Sequence, residues 1–562
     1  MSPKDDESRM NFAINQHEMP RRSDSDALSS ANSTPWNCSI ARTMGILIAI
    51  AGFAVLAIYR DIATGGPHHD EVIALMAAKG MEREWVRMSA ANESPLHVVV
   101  PASKWHQYTR RFQPVPFSEI RADVMSWDKH PPLAFWVMNR WLSLSPEAGY
   151  RHAVALIWLE LLITAGLLGF TAFRCSGSPS TGITAFAVFL AGNSTIFTAT
   201  WVRQYGLFMF FFATLVLAAA EITRIGISRS QCSGWLAVIG AATLLGMMCQ
   251  YTFSTMTGPI HLAVVAVLIS RRQWIATTAI LMTYAIAGAL FFQLLPGVLH
   301  HASAVSAGLE RNWQLLPAFT GLPRMYIPIP SNVPVIALTI AGTAAIVGPL
   351  LIAGVLVLRR RRESPSIGLA DVRVPLAGML GAGILQFALV TMGFFPGWAT
   401  GENHMCPFWL LTVLSTSVLI ANWSAKGRAL VVVPVLTVLV GMQSLFIWHT
   451  HRIVPRINTS YIASQQADLV CVDNLARGFV LQVTDLMPAE ALILATESAR
   501  LAKQLTEGHL PDRVLYLPMD TTVTEGKPTV IAAARQAGYH VEELPVVHSG
   551  MYEAVLFTRR QP

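Results

Sequence analysis

Long apolar runs separated by short polar breaks dominate this chain. A helix needs roughly 20 mostly apolar residues to cross a bilayer. Eleven stretches are candidates: 44–60, 151–173, 182–198, 206–223, 234–250, 256–270, 274–296, 334–358, 375–395, 405–422 and 429–448. Only helices satisfy their own backbone this many times in one chain without the alternation of a barrel. The expected fold is therefore mostly α, a polytopic membrane protein. Residues 1–43 are polar and rich in Ser, Asp, Asn and Arg, and are expected to be disordered. The first apolar run begins near Met44, far from the N-terminus for a cleavable signal, and is read as a retained span.

Two shorter patterns stand between the first and second runs. Residues 70–88 alternate apolar and charged positions at helical spacing. Residues 131–144 open with proline, which suits a helix start. Both predict helices lying in the membrane interface. From 449 the pattern changes. β-like runs (Ala491–Ala495, Val514–Leu517, Ala554–Thr558) alternate with helical stretches (Glu497–Leu505, Thr529–Gly538), so 449–562 reads as a small α/β domain. The expected organisation is a disordered tail 1–43, a transmembrane domain 44–448 with a long outer loop 61–150, and the α/β domain 449–562.

Composition agrees with the pattern. Hydrophobic residues make up 53% and charged residues 13% of the chain, against about 25% charged in soluble domains. The net charge of +7 sits in short clusters between apolar runs, not on one amphipathic face, which argues against a nucleic-acid partner. Those clusters set an orientation. Arg174, Arg224, Arg229, Arg271, Arg272, Arg359–Arg362, Arg373, Lys426 and Arg428 fall in loops on one side, and only Arg203, Arg311 and Arg324 on the other. The basic side is expected to be cytoplasmic, together with the N-terminus. An odd number of spans then puts the α/β domain outside, on the periplasmic face of an inner membrane. The six cysteines form no CxxC pair, and the tail has no GxGxxG or P-loop.

Candidate chemistry concentrates in the outer loops. Asp70 and Glu71 head the helix predicted after the first run. One of these carboxylates could take a proton from an acceptor hydroxyl or amine, or the pair could simply complement the helix dipole. His68 and His69 precede them, and a His-His-Asp-Glu cluster could bind a divalent cation. Adjacent histidines diverge on most backbones, so no metal is assigned. Asp128, Lys129 and His130 lead into Pro131-Pro132-Leu133, where free helix N–H groups favour an anion; a turn stiffened by two prolines is the plainer alternative. Arg203-Gln204-Tyr205 lies in a short outer loop, where the arginine could anchor at the interface or hold a phosphate.

Taken together, Asp-Glu beyond the first span, Asp-x-His-Pro-Pro-Leu before an aromatic-rich helix, and Arg-x-Tyr opening a span resemble the GT-C glycosyltransferases. The resemblance is to the branch holding bacterial protein mannosyltransferases, the lipid A aminoarabinose transferase and rhizobial galacturonosyl transferases, and covers about 44–300. It implies an inverting transfer of a sugar from a polyprenyl-phosphate donor to a lipid, glycan or protein acceptor, with no required cofactor. It implies that Asp70 is the catalytic acidic residue and Glu71 its partner. It implies that Asp128, Lys129 and His130 lie near the donor phosphate, with Arg203 and Tyr205. Many relatives carry Arg-Tyr near a late span. Here that region reads Phe394 to His404, and Glu402 and His404 are its polar candidates.

A transporter or lipid flippase is the alternative. It would carry ionisable residues at mid-membrane depth in two related halves. Glu160 is the clearest such residue, yet no inverted repeat is visible. A scaffold presenting the α/β domain is a third class; an enzyme could then keep some turnover without its tail.

Overall fold

The computed structural model describes 67–298 with small gaps, 371–392, 406–424, and 465–559 with gaps at 474–476, 519–525 and 545–553, besides scattered residues between 316 and 351. The candidate spans 44–60 and 429–448 lie outside the described residues, as does most of 334–358. The segment before the bundle holds α1 (His69–Ala78), α2 (Glu82–Ala91), β1 (Val100–Pro101), α3 (Ser103–His106), α4 (Phe117–Trp127) and α5 (Leu133–Leu142). The bundle follows with α6 (Tyr150–Ser176), α7 (Pro179–Leu190), α8 (Asn193–Ala199), α9 (Tyr205–Ile222), α10 (Arg229–Cys249), α11 (Phe253–Ser270) and α12 (Trp274–Leu294). Helices α13 (Arg373–Thr391) and α14 (Cys406–Ser424) complete the described bundle.

Among the described residues six helices are long and apolar enough to cross a membrane. Leu262, Ile275, Leu281 and Phe292 stay exposed on outer faces, the surface that lipid tails cover, since they are as apolar as leucine. The chain is a mostly helical, polytopic membrane protein with a small sheet domain. Inside, small residues set the helix spacing. A Cβ on Gly169 of α6 would stand 2.8 Å from the Gly182 carbonyl oxygen of α7, and the converse is also 2.8 Å.

Two predicted helices are broken. The stretch 182–198 divides into α7 and α8 around Ala191-Gly192. Trp409 of α14 causes this: its ring fills the place of a side chain, 1.7 Å from where a Gly192 Cβ would be. Trp409 Nε1 then donates to Thr195 Oγ1 at 3.2 Å. The stretch 70–88 divides into α1 and α2 at Gly80, whose φ of +68° is a left-handed conformation open to glycine. Lys79 leaves α1 to donate to the carbonyls of Gln107 and Arg110, with the latter at 2.6 Å. Burial pushes its amine down to about 8. The exposed N–H groups of α2 are not capped by Met81. Asp123 of α4 takes those of Glu82 and Arg83 at 2.9 and 2.8 Å instead.

The C-terminal region contains β2 (Leu469–Asp473), α15 (Arg477–Leu486), β3 (Leu492–Ala495), α16 (Ser498–Thr506) and β4 (Arg513–Pro518). It ends with α17 (Gly526–Gln536), β5 (Tyr539–Leu544) and β6 (Ala554–Arg559). The sheet order is β1-β3-β2-β4-β6-β5. Strands β3, β2 and β4 run parallel, and the outer pairings are antiparallel. All five residues of β2 are buried because both faces are covered. Val470 and Val472 face a core shared with α1, α2 and α15, while Leu469 and Cys471 face one shared with α16 and α17.

Strand β1 belongs to the segment before the bundle, so that segment and the C-terminal region share one sheet. Val100 pairs with Ile493 and Pro101 with Leu492. The seam is stitched on either side. His106 Nε2–H donates to the Thr484 carbonyl at 2.9 Å. Thr109 Oγ1 and Arg110 Nε reach Asp485 Oδ1 at 2.6 and 3.2 Å. Trp85, Trp105 and Tyr108 form an aromatic cluster beneath, in one core with Val72, Met76, Val480, Val483 and Ile493.

The seam is expected to weaken in acid. Burial and the nearby Arg110 charge lower the His106 pKa from 6.5, and burial with Arg500 lowers that of His97, whose Nδ1 stands 3.0 Å from Thr496 Oγ1 across the seam. The unfolded chain therefore binds more protons as pH falls below 6.5, so stability is full above 6.5 and declines as pH falls through the folded values. Hydrogen exchange across 97–110 and 484–496 should quicken between pH 7 and 5, beyond the intrinsic rate change. Equal protection at both values would remove the histidines from the seam's stability.

Candidate functional site

Helix α1 is held on two sides. It packs against α5 and against α15 of the C-terminal region. This fixes its N-terminus, where Asp70 and Glu71 lie in the first turn. The two carboxylates part company there. Asp70 is half-buried, whereas Glu71 is 2% exposed. Glu71 Oε1 accepts from the Val202 backbone N–H at 2.8 Å and from the Tyr150 hydroxyl at 3.2 Å. Thus α1, the start of α6 and the loop before α9 meet on one side chain. Sequence alone did not single out Tyr150. Its position at the first residue of an apolar helix was the one available signal.

The loop that Glu71 holds carries Arg203. This residue is 8% exposed, and its Nη1 donates to the Asp70 backbone carbonyl at 3.3 Å. Its Nε has no partner among the described residues. A buried guanidinium with a donor to spare, beside a half-buried carboxylate, suits an anionic ligand better than a neutral one. Gln204 Nε2 donates to Gln250 Oε1 at 3.1 Å. The Tyr205 ring is buried 6.0 Å from that of Trp201. Trp158 Nε1 donates to the Ala199 carbonyl at 3.1 Å, which ties α6 to the end of α8 before the loop. Asp70 and Glu71 of α1 therefore meet Val202 and Arg203 of the loop before α9, distant in sequence.

His130 is half-buried on the bend before α5, the helix packed on α1. Asp128 and Lys129 lie outside the described residues, as do His68, Glu402 and His404. Among the described residues no group of three or more His, Cys, Asp or Glu could hold a metal ion.

The opposite end of the bundle is a different surface. Glu221, at the far end of α9, pairs with Arg174 and Arg224. Asp371 pairs with Arg373 at 2.6 Å and Arg271 at 3.4 Å. Arg271 also donates to the Thr223 carbonyl. Four of the arginines assigned to one side of the membrane thus gather at one end. At about 1.5 Å per residue, α9 separates them from Arg203 by roughly 27 Å, close to a bilayer's hydrocarbon thickness.

No family model matches the chain, and no curated protein sequence does. Solved structures match more loosely. One is ArnT from Cupriavidus metallidurans bound to undecaprenyl phosphate, at 12% identity and a TM-score of 0.48, covering 91% of this chain and 97% of that one. Another is the archaeal oligosaccharyltransferase AglB from Archaeoglobus fulgidus with an inhibitory peptide and a dolichol-phosphate. It stands at 8% identity and a TM-score of 0.43, covering 91% and 74%. Both are members of the GT-C superfamily. Identity and superposition this low carry no activity across to this chain.

Proposed function

We propose that this protein is an inverting membrane glycosyltransferase that uses a sugar on polyprenyl phosphate. The observation that supports this best is Arg203, buried and held against the backbone of Asp70. The donor's leaving group is a phosphate, already anionic, which needs charge stabilisation more than a proton. Arg203 would supply it, with His130 and Lys129 nearby in sequence from the α5 side. Asp70 would take the proton from an acceptor hydroxyl or amine. The freed oxygen or nitrogen attacks the anomeric carbon, the bond from that carbon to the phosphate oxygen breaks, and its electron pair leaves on polyprenyl phosphate. One in-line displacement inverts the carbon.

In this reading Glu71 holds the Arg203 loop at the height of Asp70. Tyr205 would line the donor side, and Glu402 and His404 would contribute to substrate binding. No step requires a metal. The isoprenoid lies along the bundle in lipid and the acceptor is a lipid, glycan or protein. The site faces the periplasm of an inner membrane, because the arginine-rich end of the bundle faces the cytoplasm.

Arg203→Ala is expected to raise the KM for the lipid donor about 10- to 100-fold, from the loss of roughly 1.5–3 kcal/mol of charge-assisted hydrogen bonding. Arg203→Lys should recover only part of this, since a point charge replaces a planar fork. Assays with purified protein and defined polyprenyl-phosphate sugars measure both. An unchanged donor KM would make Arg203 an interfacial anchor. Mass spectrometry of envelope glycolipids and glycoproteins, with and without the protein, identifies the product. No altered glycan in either fraction would overturn the proposal.

A further inference from the structure

Two buried carboxylates grip the segment that carries Arg203, one at each end. Glu71 of α1 takes the Val202 N–H at 2.8 Å. Glu160 of α6 reaches the Leu207 N–H in the first turn of α9, while its Oε2, against Gly206, has no hydrogen-bond partner among the described residues. Between these two backbone groups lie Arg203, Gln204, Tyr205 and Gly206. Glu71 is 2% exposed and Glu160 is 7% exposed.

Glu160 stands in a membrane-spanning helix, where a carboxylate is costly and calls for a reason. The first turn of α9 supplies one. Its N-terminal N–H groups need acceptors, and its own N-cap residue Gln204 makes no side-chain capping bond. The Gln204 amide is engaged with Gln250 instead. Glu160 therefore caps α9 from a neighbouring helix. Gly206 makes the approach possible, because a Cβ there would stand 2.4 Å from Glu160 Oε2 and 3.2 Å from Ile157 Cγ2. The carboxylate is pressed against α9.

We propose that Glu71 and Glu160 form a carboxylate clamp that fixes the height of the Arg203–Gln204–Tyr205 segment, and that Glu160 is a positioning residue for donor binding. Glu160 touches no reacting atom. It acts by holding Arg203 at the level of Asp70. The functional half of this inference rests on the reading that Arg203 meets the donor phosphate; the clamp itself does not.

The test uses the full-length protein in detergent or nanodiscs. Glu160→Leu should speed hydrogen exchange at the amides of 202–207 and raise the donor KM about tenfold, with kcat changed little. Glu160→Gln keeps an acceptor oxygen and should recover most of the donor affinity. Gly206→Ala pushes the carboxylate away without removing it. It should reproduce the Leu phenotype, and so replaces Glu160→Leu if that variant folds poorly. Combined with Arg203→Ala, Glu160→Leu should add little, because residues acting through one group do not add. Unchanged exchange at 202–207 in both Glu160→Leu and Gly206→Ala overturns the clamp. Multiplying KM effects in the double variant overturn the link to Arg203. If exchange quickens while neither Arg203→Ala nor Glu160→Leu moves the donor KM, the clamp stands and the donor role of the segment falls.

Discussion

Asp70→Asn is expected to abolish transfer while leaving the protein in the membrane at its usual level. Asparagine has the same shape, so α1 and its packing on α5 and α15 stay intact. What is lost is the proton acceptor, a contribution of about 10²–10⁴ in rate for a positioned general base. Loss of the dipole interaction in the first turn costs only about 0.3–1 kcal/mol, too little to unfold a helix held on two sides. The two roles therefore separate cleanly. A base predicts normal abundance with no turnover; a dipole partner predicts slightly lower stability with full turnover. In vitro transfer by purified Asp70→Asn decides between them, and full activity removes Asp70 from the mechanism.

Removing residues 465–562 should have an effect as large, for a different reason. The sequence allowed the membrane half some turnover of its own. The structure argues otherwise, because α1 packs directly on α15. Val72 and Met76 of α1 share a core with Val480, Val483 and Ile493 of the tail. Each such side chain stabilises by roughly 1.5–3 kcal/mol when buried, and α1 is only 10 residues long, too short to persist alone in water. The truncated protein should insert in the membrane, lose all transfer, and be cut by protease within 69–110. A smaller change, Asp485→Ala, leaves Thr109 Oγ1 without its acceptor and Arg110 with only the Asp485 backbone carbonyl, at a cost of about 1–3 kcal/mol. It should lower the melting temperature while sparing most of the activity. Measurable turnover by the truncated protein would show that α1 supports itself.

Much of the fold was legible in the sequence because the bilayer imposes a length that few other structures require. The strands β3, β4 and β6 and the helices α16 and α17 were legible from their short periodic runs. Strand β1 was not: two residues, Val100 and Pro101, carry no periodicity, and only their partners Ile493 and Leu492 make them a strand. The break in 182–198 was hidden for a similar reason, since Gly192 is one of many glycines until Trp409 is packed on it.

The site divides the same way. Sequence by itself determined the residue types, the long apolar runs and their charged flanks: Asp70-Glu71 at a helix start, Arg203 at the mouth of a span, arginines at the other end. Tertiary structure decided which of two adjacent carboxylates turns inward. Helical geometry points neighbouring residues about 100° apart, so only one of them can face Val202 and Tyr150. It also decided that Glu160, in the sequence a solitary charge in a span, reaches the first turn of α9, because hydrogen-bond partners are chosen by proximity in space and leave no mark on spacing along the chain.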